Sequence, residues 1–221
     1  MNIIQPYAKI LKPSLPDSWK AEMLRKVEWC GRISHRSEDA QNAASWERFI
    51  QAVVIGHGDW SITEHASVSV DMVVDRGITH ELVRHRLFSF TQESTRFVNY
   101  EKKMPPGFIL PVEEWGNEDQ RYAWYLAIQT AEESYRNLLK AGMPPQLARS
   151  VFPNALASRI VITGNLRNWR HFFIMRTTKE AHPQMRQVTI PLLAEFKQTI
   201  PILYDDIQPN ARQVDNLKLP R

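Results

Sequence analysis

Ser67-Val68-Ser69-Val70-Asp71-Met72-Val73-Val74 alternates polar and apolar side chains over most of its length. Successive side chains of an extended chain point to opposite faces, so a period of two predicts a strand against a core. It is the clearest strand signal in the sequence. Upstream of it, His57–His65 is a turn-rich connection. Before that, a helix is expected from Asn42 to Ile55, with Trp46, Phe49, Ile50, Val53 and Val54 on one face and Gly56 as its stop. Gly31–Asp39 reads as a polar loop and Trp19–Cys30 as a short helix. Residues 1–18, with Pro6, Pro13 and Pro16, read as an extended lead-in.

Downstream, Gly77 is expected to end the strand and Thr79–Arg86 to form a short helix. Ser89–Tyr100 reads as extended from its β-branched and aromatic content. Prolines near 105–111 mark a loop before a long helix, Glu118–Lys140. Tyr122, Leu126, Tyr135, Leu138 and Leu139 lie near one face of it, and Gly142 caps it. A short helix over Pro145–Val151 precedes a second strand, Arg159–Thr163, halted by Gly164. Asn165 can cap a helix whose Leu166, Trp169, Phe173 and Arg176 share a face. A last helix is expected from Pro183 to about Ile200, interrupted or bent at Pro191, followed by a polar tail after Tyr204. Two interior strands are few for this length, so segment 89–100 and the N-terminus are expected to complete the sheet. No repeat or linker is visible. The reading is a single α+β domain over residues 1–221, a small antiparallel sheet with several surrounding helices.

At 221 residues the chain can bury a substantial core, and 43% hydrophobic with 24% charged residues is ordinary for a globular protein. No apolar run approaches bilayer length, and the first residues lack the pattern of a secretory signal. The single cysteine, Cys30, permits no intrachain disulfide, which suits a cytoplasmic protein. A net charge of +4 favours anionic ligands without identifying a nucleic-acid binder.

The chemistry concentrates at Arg84-His85-Arg86-Leu87-Phe88-Ser89-Phe90-Thr91-Gln92-Glu93-Ser94-Thr95-Arg96. Guanidinium groups are rigid donor forks matched to phosphate oxygens, so three of them in so short a span suggest an anionic ligand. The interleaved Leu87, Phe88, Phe90 and Phe97 weaken the alternative of a solvated basic helix face. Arg149, Asn165-Leu166-Arg167, His171 and Arg176 extend the theme, and Arg167 and His171, four apart, share a helix face. Asn165 could instead serve its own helix, and Arg149 and Arg176 could be surface charges. His57, His65, His80 and His85 lack zinc-protease spacing and there is no cysteine pair, so no metal is expected. Neither a nucleophile elbow, a Gly-x-Gly-x-x-Gly nor a P-loop appears, so a bound nucleotide must be held by side chains.

Arg84-His85-Arg86, seven residues, Ser94 and then Arg96 resembles the signature of the flavin-dependent thymidylate synthases. Arg32-Ile33-Ser34, Ser61 with Glu64-His65, Arg149, and Asn165-Leu166-Arg167 through His171-Phe172-Phe173 to Arg176 fit the same family in order, over roughly residues 30–180. The resemblance implies FAD as cofactor, dUMP as substrate, methylenetetrahydrofolate and NADPH as co-substrates, dTMP as product, and a homotetramer whose active sites are shared between subunits. It assigns FAD contacts to Ser61, Arg84, His85, Arg86, Gln92, Asn165, Leu166, Arg167 and His171. It assigns dUMP contacts to Glu81, Leu82, Val83, Arg84, Gln92, Glu93, Ser94, Thr95, Arg96, Arg149 and Arg176, with Arg176 polarising the uracil ring. No protein nucleophile is needed, in keeping with one cysteine. The chain departs from the family pattern at Thr91-Gln92 (often Asn-Glu), Phe97 (often tyrosine), Glu81 (more often glutamine) and Asp59 (a histidine in some members). The competing reading is a single-stranded nucleic-acid-binding module, with the same arginines on phosphates and Phe88, Phe90 and Phe97 as stacking platforms.

Overall fold

The computed structural model describes residues 1–11, 19–100, 104–112 and 116–212. Pro13 and Pro16 of the lead-in and the tail beyond 212 lie outside them. In chain order the elements are β1 (Asn2–Ile3), β2 (Tyr7–Ile10), α1 (Trp19–Ile33), α2 (Ser45–Phe49), β3 (Ser67–Asp75), α3 (Arg76–Leu82), β4 (Ser89–Gln92), β5 (Gly107–Phe108), α4 (Glu118–Lys140), α5 (Pro145–Ala148), β6 (Ala157–Asn165), α6 (Leu166–Arg176) and α7 (Pro183–Thr199). α2 runs on as a π-helix, Ile50–Gly56, and a 3-10 turn covers Trp60–His65.

The principal sheet is small and antiparallel, in the order β2-β3-β6-β4. Its two added strands, β2 and β4, come from the N-terminus and from segment 89–100, as expected. β1 and β5 form a separate pair, and that one is parallel. The alternating strand is real: Val68, Val70, Met72 and Val74 are all buried. The β3–β6 register shows in the Leu166 amide donating to the Ala66 carbonyl at 3.0 Å and in the 2.8 Å bond between the Ser69 and Thr163 hydroxyls.

Two compact units are distinguishable among the described residues. The first comprises Met1–Tyr7, Met72–Arg84 and Phe90–Val161, the second Ala8–Asp71, His85–Ser89 and Ile162–Arg221. The core of the first unit gathers Tyr100, Phe108, Ile128, Tyr135, Ala148 and Leu156, with Phe152 stacked on Tyr135 at 4.4 Å. In the second, Trp169, Phe172, Phe173, Phe196 and Tyr204 form an aromatic core. Its polar atoms are satisfied: Trp169 Nε1 donates to the Val68 carbonyl and the Tyr204 hydroxyl to that of Leu166, both at 3.0 Å.

The structure corrects three glycine readings. Gly31 lies inside α1, and a Cβ there would sit 2.6 Å from the Phe49 ring. The missing side chain admits a neighbour, and the helix runs on through Ile33. Gly77 lies in the first turn of α3, which begins at Arg76 because Asp75 caps it, its carboxylate accepting from the Ile78 amide at 2.7 Å. The basic cluster therefore follows α3 and is not part of it. Gly164 lies inside β6, where a Cβ would fall 2.3 Å from the Phe88 ring. On α4 the expected face is also revised. Tyr122 and Leu126 are 71% and 51% exposed, and Ile128, Glu132 and Tyr135 are the residues it buries. Glu132 turns inward because Arg136 and the N-terminal ammonium neutralise it, at 2.8 and 3.2 Å. Ser89–Tyr100 is a strand only to Gln92 and then turns, and α7 continues through Pro191.

Gly164→Ala should displace the Phe88 ring and destabilise the protein by about 1–3 kcal/mol, the usual cost of overpacking. Urea denaturation measures it. An unchanged midpoint would show that the ring yields freely.

Candidate active site

In the second unit the expected residues collect around α6. Asn165 is its N-cap, its side-chain oxygen accepting from the Asn168 amide at 2.8 Å, so that oxygen serves its own helix. Leu166 is buried, its amide donates to the Ala66 carbonyl and its carbonyl accepts from the Tyr204 hydroxyl, so only the second lone pair of that carbonyl can meet a ligand. Arg167 and His171 lie exposed one turn apart, and Arg167 bonds the Glu64 carboxylate at 2.7 Å. The 3-10 turn carrying Glu64 also holds Ser61, and it is fixed to the same helix by the Arg170 guanidinium 4.3 Å above the Trp60 ring. Ser61 lines a pocket of about 370 Å³ together with Arg32, Ser34, His35, His57 and Asp59. Two motifs far apart in sequence, Arg32-Ile33-Ser34 and Ser61, therefore meet there.

The segment His85–Ser89 is held on α6. Phe88 packs edge-on against Trp169 at 4.9 Å and Phe172 at 6.0 Å, and the Asn168 side-chain amide donates to the Leu87 carbonyl at 3.0 Å. Phe88 is thus committed to an aromatic cluster and is no open stacking platform, which removes one support of the nucleic-acid reading. Next to it, His85 Nε2 accepts a hydrogen bond from Arg176 Nε at 2.9 Å. An accepting nitrogen carries no proton, so the ring is neutral with its hydrogen on Nδ1. The electrostatics agree. Burial, then the Arg176 charge, then that of His171 bring the His85 pKa down to about 4. A neutral imidazole orients Arg176 without cancelling its charge. Arg86, in the following turn, is exposed.

The residues expected at dUMP fall largely in the first unit. Leu82 is buried, while Val83 and Arg84 are exposed and Glu81 is half-buried. The Gln92 amide nitrogen donates to the Thr79 and Ser158 hydroxyls at 3.1 and 3.0 Å, which leaves its carbonyl oxygen as the group it can offer a ligand. The Glu93 carboxylate accepts from the Tyr100 hydroxyl at 2.8 Å; burial and that bond together hold the phenol protonated far above its usual range. Ser94 accepts from the Arg96 amide at 3.3 Å. Thr95 and Arg149 meet directly, Arg149 donating to the Thr95 hydroxyl at 2.8 Å. They line an open pocket of about 530 Å³ that also contains Arg76, Gln146 and Ser150. None of these three was singled out from the sequence. Arg76 lies eight positions before the Arg84 cluster and carries no motif of its own.

Among the described residues no three His, Cys, Asp or Glu side chains converge as metal ligands, and no helix is long and apolar enough to cross a membrane. Exposed donors on the second unit (Ser61, Arg86, Arg167 and His171) suit a dinucleotide pyrophosphate that has no glycine-rich cradle. Arg167 would have to exchange Glu64 for it. That exchange is cheap, since exposed ion pairs contribute about 0–1 kcal/mol.

A family model described as "Thymidylate synthase complementing protein" matches residues 15–202. The flavin-dependent thymidylate synthase of Corynebacterium aurimucosum is 34% identical over 206 residues, 86% of this chain and 82% of its own. That of Mycobacterium tuberculosis is 34% identical over 204 residues, 82% and 78% of the two chains. Among solved structures, the UMP/dUMP methylase PolB from Streptomyces cacaoi, bound with 5-Br dUMP, matches with a TM-score of 0.71 and 23% identity over 93% of this chain and 96% of that one. This last likeness bears on the fold.

Free imidazole protonates near pH 6.5 and His85 near pH 4. Between those values the unfolded chain binds a proton that the folded chain refuses, so stability falls as pH is lowered through this window and is unaffected by it above. The urea midpoint of the wild type should therefore drop more between about pH 7 and about pH 5 than that of His85→Gln. Equal drops would show that His85 is not held neutral.

Proposed function

Because the chain belongs to the thymidylate synthase complementing protein family, the flavin-dependent thymidylate synthases, we propose that it is an FAD-dependent enzyme that methylates dUMP to dTMP. Methylenetetrahydrofolate supplies the carbon and NADPH the reducing equivalents. Residues 1–221 act as one catalytic domain, in a homotetramer whose subunits share active sites. The observation that carries the reading beyond kinship is the Arg176–His85 hydrogen bond, a directed cation beside the side chains suited to a dinucleotide.

FAD, when bound, supplies the hydride that completes the methyl group. The rest is done by this chain. Ser61, Arg86, Arg167 and His171 hold the dinucleotide, with the Asn165 amide nitrogen, the second lone pair of the Leu166 carbonyl, Arg84 and Gln92 as further contacts. Thr95 and Arg149 take the nucleotide phosphate together with Ser94 and Arg96, and Gln92 offers its carbonyl oxygen to a donor of the substrate. Glu93 acts through its fixed backbone, its carboxylate being engaged by Tyr100. Arg176 faces the uracil ring. Methylation at C5 requires negative charge to develop on the ring, and a fixed guanidinium near N3 and O2 stabilises it. One such donor in a site shielded from water is worth roughly 3 kcal/mol of barrier.

Cys30 has no part in this. It sits half-buried on α1, inside the helix and away from the residues named above in sequence.

Purified protein should be yellow or become so with FAD, and anaerobic NADPH should bleach it. A colourless protein that refuses FAD would end the reading. In Arg176→Ala, flavin content and bleaching should persist while dTMP formation falls by roughly 100- to 1,000-fold. Wild-type turnover in that variant would remove Arg176 from the mechanism.

A further inference from the structure

We infer that Arg76 is a second guanidinium for the 5′-phosphate of the nucleotide, facing Arg149 across the pocket that both line. The inference rests on the dUMP reading above and adds to it a residue that the family signature does not supply.

The placement follows from local structure. Arg76 is the first residue of α3, immediately after the capping Asp75. Its backbone amide donates to two carbonyls, those of Asn154 and Leu156, at 2.9 and 3.0 Å. This double anchor leaves the backbone little freedom, so the half-buried side chain leaves it in a set direction. The pocket it enters is about 530 Å³, within the roughly 300–1,000 Å³ of small-molecule sites.

The lining is suited to an oxyanion. Thr95, Gln146 and Ser150 contribute neutral polar groups, and no acidic side chain is among its described lining residues. Among the described residues Arg149 is oriented by neutral partners, the Thr95 hydroxyl at 2.8 Å and the Gln146 carbonyl at 3.2 Å. Among the described residues no carboxylate forms an ion pair with Arg76 or Arg149. Two like charges facing one pocket repel each other until an anion joins them. A phosphate dianion accepts from both forks at once, which neither a nucleoside nor a neutral base can do.

The experiment titrates FAD-loaded protein with dUMP and, separately, with deoxyuridine, following flavin absorbance or heat. Arg76→Gln should weaken dUMP binding by about 10- to 100-fold, the range expected for losing a charge-assisted bond, and leave deoxyuridine affinity within about twofold. Arg76→Lys, which keeps the charge and loses the fork, should fall between. FAD content should match the wild type. Unchanged dUMP affinity in Arg76→Gln, or parallel loss of dUMP and deoxyuridine, would overturn the inference alone. A wild-type protein that holds FAD and ignores dUMP would overturn the nucleotide reading and the inference with it.

Discussion

The first amides of a helix have no partner within it, and the last residue of each long strand supplies one. Asp75 ends β3 and Asn165 ends β6, with nearly identical backbone angles of −73°, 167° and −73°, 166°. Each side chain accepts from the amide three residues on, at 2.7 and 2.8 Å. Such a cap is worth about 1 kcal/mol, but its larger consequence is register. It fixes where α3 and α6 begin. Arg76 then falls on the first helical position of one, and Arg167, His171 and Arg176 take fixed angular positions on the other. A sheet that ends in side-chain caps thus sets the direction of the cations that follow.

Those cations are managed by the choice of partner. Arg167 has a carboxylate partner at the surface, where the pair is weak and easily exchanged. Arg149 donates to a hydroxyl and a carbonyl, and Arg176 donates to an imidazole. A carboxylate in place of these hydroxyl, carbonyl and imidazole groups would fix the guanidinium equally well and offset part of its charge. His85 can play this part because burial, and after it the Arg176 charge, keep it unprotonated. Its role is then to orient Arg176, a duty separate from any contact it makes with the flavin.

Local rules were enough to read the α4 limits from Glu118 to Lys140, the caps at Gly142 and Asn165, and the alternation of β3, though not the cap at Asp75. Asn117 and Gln120 close a capping box at one end, and Gly142 takes a φ of +88° at the other. The family signature likewise needs only linear spacing. What could not be read depends on who stands opposite. Gly31 and Gly164 look like breaks in a single sequence, yet each admits an aromatic ring, Phe49 and Phe88, that lies 18 and 76 positions away. Tyr122 and Leu126 have the spacing of a buried stripe, but burial on α4 is decided by the groups packed against it, and a neutralised Glu132 goes inside instead. Arg76 is of the same kind: what sets it apart is the pocket it lines with Thr95 and Arg149, not its neighbours in sequence.

The cluster Arg84–Arg96 is divided between the two compact units. Its residues do not belong to one body: Arg84 ends a segment of the first unit, His85–Ser89 belong to the second, and from Phe90 onward the chain is back in the first. The five-residue excursion is held by the Phe88 ring in the Trp169 and Phe172 cluster and by the Leu87 carbonyl. The apolar residues interleaved among the arginines are therefore what divides the motif. Phe88 assigns His85 and Arg86 to the α6 side, where the dinucleotide-suited donors are. Thr95, buried, and Glu93, tied to Tyr100, keep the other half with the Arg149 pocket. A uniformly basic segment would have bound anions without distinguishing between them. Anchoring alternate pieces to two separate cores gives each half its own surroundings.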